Sequence, residues 1–365
     1  MKKILLISNM YPSEESPFYG IFVKRTEEML DDSFEISKVI MTKPSSNYKK
    51  VISYIVHYIR VFKECIKLEK ESIIYCHYSS LNAPPIIFAS LFKKNKLVVN
   101  VHGSDIFYEK RRQKVFHFFN KKLFQINPNI IVPSKYFREV MLNKYDIPSH
   151  KLYISPSGGI NRDLFNRHTN YVDTIAFNWY NSKYDYIVYV SRLDYGKGWD
   201  DILYAFNSYI TENPKNNKRL VIVGSGKYSK EVNLLIKELD LLGRVIILPA
   251  LSQEKIAALF PLAYLFVFPT KREGESLGLI GLEALSAGLP IIGSEIGGLV
   301  EYISDGSNGY LFKPGEINQI KECLMRFENL SEKEKEQMRK VARESTEKYD
   351  RKKIKIQLTE FFNTL

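Results

Sequence analysis

The sequence is poor in the residues that staple or span. It has three cysteines and two tryptophans among 365 residues. Cys65, Cys76 and Cys323 are too few for a disulfide framework and lack the spacing of metal ligands. A reducing, cytoplasmic compartment is therefore expected. No apolar run reaches the roughly 18 residues of a membrane span. The opening MKKILLISNMYPSEESP is apolar only as far as Ile7 and has no small-residue cleavage site, so it reads as a buried first strand rather than a secretion signal. No recognised nucleic-acid-binding module is present, which argues against a nucleic-acid partner. No Asp-x-Asp pair stands at a strand end with other ligands, and no metal is expected. The apolar fraction, 45%, excludes a disordered chain, and at about 150 residues per domain the length suggests two domains.

The charge is unevenly placed. Residues 1–165 carry 26 Lys+Arg against 15 Asp+Glu, a net of +11, whereas residues 166–365 carry 27 against 26, a net of +1. A solubility charge would be spread out, so the N-terminal half is expected to meet something anionic. Residues 47–70 place cations between apolar residues at helical spacing. Residues 109–124 set Phe116, Phe118, Phe119 and Phe124 among Arg111, Arg112, Lys114, Lys121 and Lys122. That is the composition of an interfacial helix, with aromatics toward acyl chains and cations toward lipid phosphates. Arg111, Arg112, Lys114, Phe116, Phe119, Lys121 and Lys122 are the expected membrane or acceptor face. The alternative for both stretches is a helix packed on its own domain with a solvated basic face.

Strands and helices alternate. KKILLIS (2–8), SIIYCH (72–77), KLVVNVH (96–102) and NIIVPS (129–134) are short apolar runs, each followed by a helical segment. Continuous apolar runs fit strands buried on both faces of a parallel sheet. Residues 155–184 break the pattern. It restarts with YIVYVS (186–191), RLVIVG (219–224), RVIILP (244–249), YLFVFP (264–269) and LPIIGS (289–294), with helices at 229–242 and 276–287 among those between. Expected are an N-terminal Rossmann-like domain at 1–165 and a connection at 166–184. A second Rossmann-like domain follows at 185–348, then a last helix at 349–365 that could return to the first domain. The class is α/β, two doubly wound domains facing across a cleft.

Ligands of such sheets bind beyond the carboxyl ends of the strands, where Gly20, His102-Gly103-Ser104-Asp105, Ser191-Arg192, Gly224-Ser225-Gly226 and Thr270 to Glu275 cluster. The sharpest feature is REGESLGLIGLEALSAGLPII (272–292). A helix start among small residues is an anion site. Glu275 and Glu283, eight residues apart at about 1.5 Å each, would stand roughly 12 Å apart on a helix. That matches a hexose and a ribose joined by two phosphates, one carboxylate for each ring. Arg192 and Lys197, in the first loop of the second domain, supply two cations for a diphosphate. Gly224-Ser225-Gly226 lacks a third glycine and reads as a strand-to-helix turn. Asp105 reads as a helix cap.

These motifs resemble the retaining glycosyltransferases of family 4, which have the two-Rossmann GT-B fold. The matching segments are VHGSDIF (101–107), VPS (132–134), ISPSGGI (154–160), SRLDYGKG (191–198), LVIVGSGKY (220–228), EGESLGLIGLEALSAGLPII (273–292) and EYISDGSNGYLF (301–312), in the family's order over about 290 residues. The resemblance implies that Glu275 contacts the donor sugar together with the amides of Leu277, Gly278 and Leu279, and that Glu283 binds the ribose. It gives Arg192 and Lys197 to the diphosphate and His102 to the transferred sugar. Gly20 matches the glycine of a loop near the donor phosphates. Many members carry Gly-Gly there, whereas this chain has Tyr19-Gly20, and Leu277 replaces a common Phe. The base is expected near Pro249-Ala250-Leu251. The implied activity is metal-independent transfer, with retention, from a UDP- or GDP-linked sugar to a lipid-linked or polymeric glycan at the cytoplasmic membrane face, with no cofactor. A GT-B epimerase or hydrolase, or a non-catalytic sugar-nucleotide-binding protein, are the alternatives.

Overall fold

A computed structural model describes residues 1–17, 19–107, 114–166 and 177–365. It divides into unit 1, Met1–Gly159 with Arg351–Leu365, and unit 2, Ile160–Asp350. The division falls before the boundary at 165 read from the sequence, because Ile160 and Phe165 are buried in the core of unit 2. Of the expected connection 166–184, residues 167–176 lie outside the described residues. Phe177 and Trp179 pack onto the unit 2 core.

Unit 1 runs β1 (Lys3–Ser8), α1 (Ile21–Leu30), β2 (Glu35–Ile40), α2 (Asn47–Lys67), β3 (Ile73–His77), α3 (Ser79–Ser90), β4 (Lys96–Asn100), α4 (Gly103–Ile106), α5 (Lys114–Phe124), β5 (Asn129–Val132), α6 (Lys135–Tyr145) and β6 (Leu152–Ile154). All strands are parallel, in the order β2-β1-β3-β4-β5-β6. The order reverses between β1 and β3, and there the loops after these strands diverge and leave room for a ligand. Inner strands are buried on both faces, as their unbroken apolar runs require. The VPS segment owes its serine to local chemistry: Ser134 caps α6 by accepting from the Phe137 amide at 3.2 Å.

Unit 2 runs α7 (Arg162–Phe165), β7 (Asp185–Val190), α8 (Trp199–Glu212), β8 (Lys218–Val223), α9 (Ser229–Glu238), β9 (Val245–Leu248), α10 (Gln253–Leu259), β10 (Ala263–Phe268), α11 (Leu279–Ser286), β11 (Ile291–Ser294), β12 (Gly309–Phe312), α12 (Ile317–Glu328) and α13 (Glu332–Ser345). Its parallel sheet has the order β12-β11-β10-β7-β8-β9, reversing between β7 and β10. α14 (Arg351–Thr364) belongs to unit 1. It buries Ile354, Leu358 and Phe362, with the Phe362 ring edge-on to Phe34 and Tyr75. Each such buried side chain contributes about 2 kcal/mol.

Candidate active site

In unit 2 the reversal point is bordered by the loop after β7 (191–198) and the loop after β10 (269–278). Lys197 reaches across: its Nζ lies 2.6 Å from Glu275 Oε2, and both side chains are only 12% exposed. Thr270 Oγ1 stands 3.2 Å from the same carboxylate oxygen. Burial pushes the Glu275 pKa up, but the Lys197 ammonium, with Arg272 and Thr270, outweighs it and holds the carboxyl below its ordinary 4.5. The Glu275 carboxyl is therefore ionised at neutral pH.

Backbone contacts fix this pair. The Lys271 amide donates to the Gly196 carbonyl at 2.8 Å, and Tyr189 Oη donates to the Lys197 carbonyl at 3.2 Å. The Lys271 ammonium clasps Asp200 at 3.2 Å and Asp201 at 2.9 Å on α8. A Cβ on Gly198 would stand 1.8 Å from the Pro269 carbonyl oxygen, and one on Gly297, after β11, would stand 2.4 Å from that of Glu275. Three loops from adjacent strands thus interlock, and only glycine permits the approach.

The 12 Å estimate from helical spacing does not hold. Helix α11 begins at Leu279, not 276, with Gly278 as its cap at φ 70°, so half of the Glu275-to-Glu283 path is loop. Glu283 is buried on α11 and accepts from Gln253 Nε2 at 2.5 Å. Gln253 opens α10, three residues beyond the exposed Ala250. Leu277 is buried in the core of unit 2. Arg192 stands apart from this arrangement: its side chain is 68% exposed and pairs with Asp194 at 2.9 Å. Gly224 and Gly226 press against the carbonyls of Ser191 and Leu193, so the Gly-Ser-Gly turn buttresses the loop carrying Arg192.

In unit 1, His102 caps α4 beyond the end of β4. Its ring lies among Phe22, Tyr78 and His77, and its Nε2 is 3.3 Å from His77 Nδ1. Burial lowers the His102 pKa to about 3 and holds His77 well below its ordinary value, so both imidazoles are neutral at neutral pH. Asp105 caps α4 as expected: its carboxylate accepts from the His102 amide at 2.9 Å and from Ser80 Oγ at 2.7 Å. Burial raises its pKa to about 6 against these donors. Asn82, fully buried, donates to the carbonyls of His77 and Tyr78 and meets His57 Nε2 at 2.7 Å. Gly20 caps α1 at φ 75°, where a Cβ would stand 2.5 Å from the Met10 carbonyl oxygen.

The expected lipid-facing helix is only partly outward. Phe119 and Phe124 of α5 pack into the unit 1 core and Phe116 is half-buried, leaving Val115, Phe118, Lys121 and Lys122 exposed. Arg111 and Arg112 lie outside the described residues, as does the side chain of Lys114. Gln253, Gly297, His77 and Asn82 were not singled out from the sequence. The glycine pair Gly297-Gly298 shortly after a strand was the available signal. The others have none until the fold brings them to their partners. Among the described residues no cluster of His, Cys, Asp and Glu could hold a metal ion.

Residues 174–345 match the family model described as glycosyl transferases group 1. An uncharacterised glycosyltransferase of Methanocaldococcus jannaschii is 26% identical over 96% of this chain and 95% of its own length. The N-acetyl-alpha-D-glucosaminyl L-malate synthase of Bacillus anthracis is 31% identical over 37% of this chain and 33% of that enzyme. Among solved structures, Anabaena HepE in complex with UDP-glucose has a TM-score of 0.79 at 16% identity, covering all of both chains. Sucrose-phosphate synthase from Thermosynechococcus elongatus has a TM-score of 0.80 at 18% identity, covering 100% of this chain and 99% of that one. The chain is therefore a glycosyltransferase of the GT-B fold, with its glycosyl transferases group 1 domain at residues 174–345.

Proposed function

We propose that the chain is a retaining, metal-independent transferase of the family 4 type. It moves a sugar from a UDP- or GDP-linked donor to a hydroxyl of a lipid-linked or polymeric glycan at the cytoplasmic membrane face. The supporting observation is the buried Lys197–Glu275 pair at the sheet reversal, with Glu283 and Gln253 on α11 and α10 beside it in sequence order. An ammonium held there suits a diphosphate, and a carboxylate ionised at neutral pH suits sugar hydroxyls. Glu283 takes the ribose, with the base near Ala250. The amides of Leu277, Gly278 and Leu279, at the start of α11, add donors for the phosphates.

In the reaction the bond from the anomeric carbon to the phosphate oxygen breaks. The acceptor oxygen bonds to the same face of that carbon, and its proton passes to the departing phosphate. Lys197, Arg192 and the α11 start stabilise the charge that develops on the leaving group. Arg192 must exchange its Asp194 partner for phosphate to do so. Neutral His102 orients the sugar by hydrogen bonding rather than by charge, and Gly20 keeps its loop close to the phosphates.

The test is a thermal-shift panel of nucleotide diphosphate sugars, followed by transfer assays whose product configuration is read by NMR. The cognate donor raises the melting temperature as ln(1 + [L]/Kd), and the product keeps the donor's anomeric configuration. An inverted product, or a donor consumed equally fast without acceptor, overturns the reading, the latter in favour of a hydrolase or epimerase.

A further inference from the structure

Helix α2 carries an apolar stripe that no described residue of its own unit covers. Its inner face is engaged: Val61 and Cys65 are buried in the core, His57 meets Asn82, and Tyr58 Oη donates to the Leu81 carbonyl. On the opposite face Tyr48, Val51, Ile52, Ile55, Val56 and Ile59 recur at steps of three and one, and all are exposed, Tyr48 to 77% and Val51 to 61%. At 100° per residue these six form one band, and Lys49, Arg60, Lys63 and Lys67 follow one edge of it. The helix has five cations and one acid, and unit 1 as a whole carries 29 Lys+Arg against 15 Asp+Glu, a net of +14. The band continues toward the end of α3, where the ring of exposed Phe88 packs tilted against Phe62 of α2, centroids 5.1 Å apart. No helix among the described residues is long and apolar enough to cross a membrane.

We infer that the outer face of α2 docks on an anionic lipid surface, its aliphatic band in the acyl boundary and its cationic edge against lipid phosphates. A second copy of the chain fits less well, because pairing two such faces brings like charges together. The inference deepens the membrane-side reading proposed above and rests on it for its place in the reaction.

The test is co-sedimentation of the full chain with phosphatidylcholine vesicles, with and without phosphatidylglycerol. Expected is binding to the mixed vesicles that weakens with salt. Val51→Ser, Ile55→Ser and Ile59→Ser together, all at exposed positions, cut that affinity about a hundredfold. Lys49→Gln, Arg60→Gln and Lys63→Gln together remove the preference for phosphatidylglycerol by a similar factor. Both variants keep the wild-type melting temperature and donor shift, and Glu275→Ala keeps vesicle binding. A wild type that ignores mixed vesicles, or a serine variant that binds them as well as wild type, overturns the inference. So does a wild-type dimer that the serine variant dissolves in sedimentation velocity. Vesicle binding without any donor shift leaves this inference standing and removes the proposed transfer. A donor shift and transfer without vesicle binding do the reverse.

Discussion

Both units run six parallel strands and reverse their order beside the first, at β1/β3 in one and at β7/β10 in the other. What stands at the two reversals differs in kind. Unit 2 places a buried ammonium and carboxylate there, inside a unit whose 24 Lys+Arg and 26 Asp+Glu nearly cancel. Unit 1 places neutral imidazoles, amides and phenols around its reversal, with its large positive charge outside them. The sheet decides where a ligand sits, and the loops decide what it is. A charged reversal fits a nucleotide diphosphate. A neutral one fits groups recognised by hydrogen bonds and ring faces.

The largest effect that would break this contrast lies in unit 2. Glu275→Ala is expected to lower transfer by about a thousandfold or more, because it removes the buried carboxylate that Lys197 holds at the reversal. Lys197→Met should do the same and also destabilise unit 2 by about 3 kcal/mol, since it leaves a buried carboxylate without its partner. Adding Glu275→Gln to Lys197→Met should recover the stability but not the activity. Urea titration and transfer assays of the double variant separate the two. If stability and activity return together, the pair is structural.

His102→Ala is the matching cut in unit 1, with a smaller expected loss of about a hundredfold in kcat. Donor affinity should hardly move, because the diphosphate partners proposed above, Arg192 and Lys197, lie in unit 2. A loss confined to donor Kd would assign His102 to the donor instead. Glu283→Ala comes next. It should weaken donor binding about tenfold with little change in kcat, and Gln253→Ala should do so by less, since Gln253 only steadies Glu283. Isothermal titration with the cognate donor checks both. A Gln253→Ala loss larger than that of Glu283→Ala would make the amide the direct contact.

The inner strands and the Glu275 motif were legible because both obey strong local rules. Unbroken apolar runs mark strands buried on two faces, and a glycine-flanked acidic segment marks a strand-to-helix turn. The strands that escaped are β2, β6 and β12, all at sheet edges. An edge strand such as EISKVI, exposed along much of its length, has no apolar run to announce it. The aromatic face of α5 misled for a related reason. Phenylalanines between cations suit a core helix and a lipid helix equally, and only the fold shows Phe119 and Phe124 turned inward. The α2 stripe was legible as periodicity, but which of its apolar faces stayed outside was not. The Lys197–Glu275 pair joins residues 78 apart, and only the adjacency of β7 and β10 makes it readable.

The smallest expected effect separates the units by pH. Folded His102 has a pKa of about 3, and His77 lies well below its ordinary 6.5. Burial lowers His57 and His117 of the same unit as well. As pH falls below 6.5 the unfolded chain therefore binds protons at four histidines that folded unit 1 resists, and its stability falls. Below about 6, folded Asp105 takes up one proton that its unfolded form, at 3.8, does not, and this offsets part of the loss. His102 and His77 less Asp105 leave one proton, so unit 1 should lose at least about 1.4 kcal/mol per pH unit between 6 and 4. In unit 2 the pKa of Glu275 is depressed, so its contribution is fully present above 4.5 and lost only as pH drops through the lower folded value. Both tryptophans, Trp179 and Trp199, lie in unit 2, so their fluorescence reports that unit alone. Urea-dependent hydrogen exchange at Val98 and Val99 of β4 reports unit 1. Between pH 7 and 5 the exchange midpoint should fall while the fluorescence midpoint stays level. The His102→Ala variant should flatten the fall. If both midpoints fall in parallel, the neutral character assigned to the unit 1 reversal is wrong.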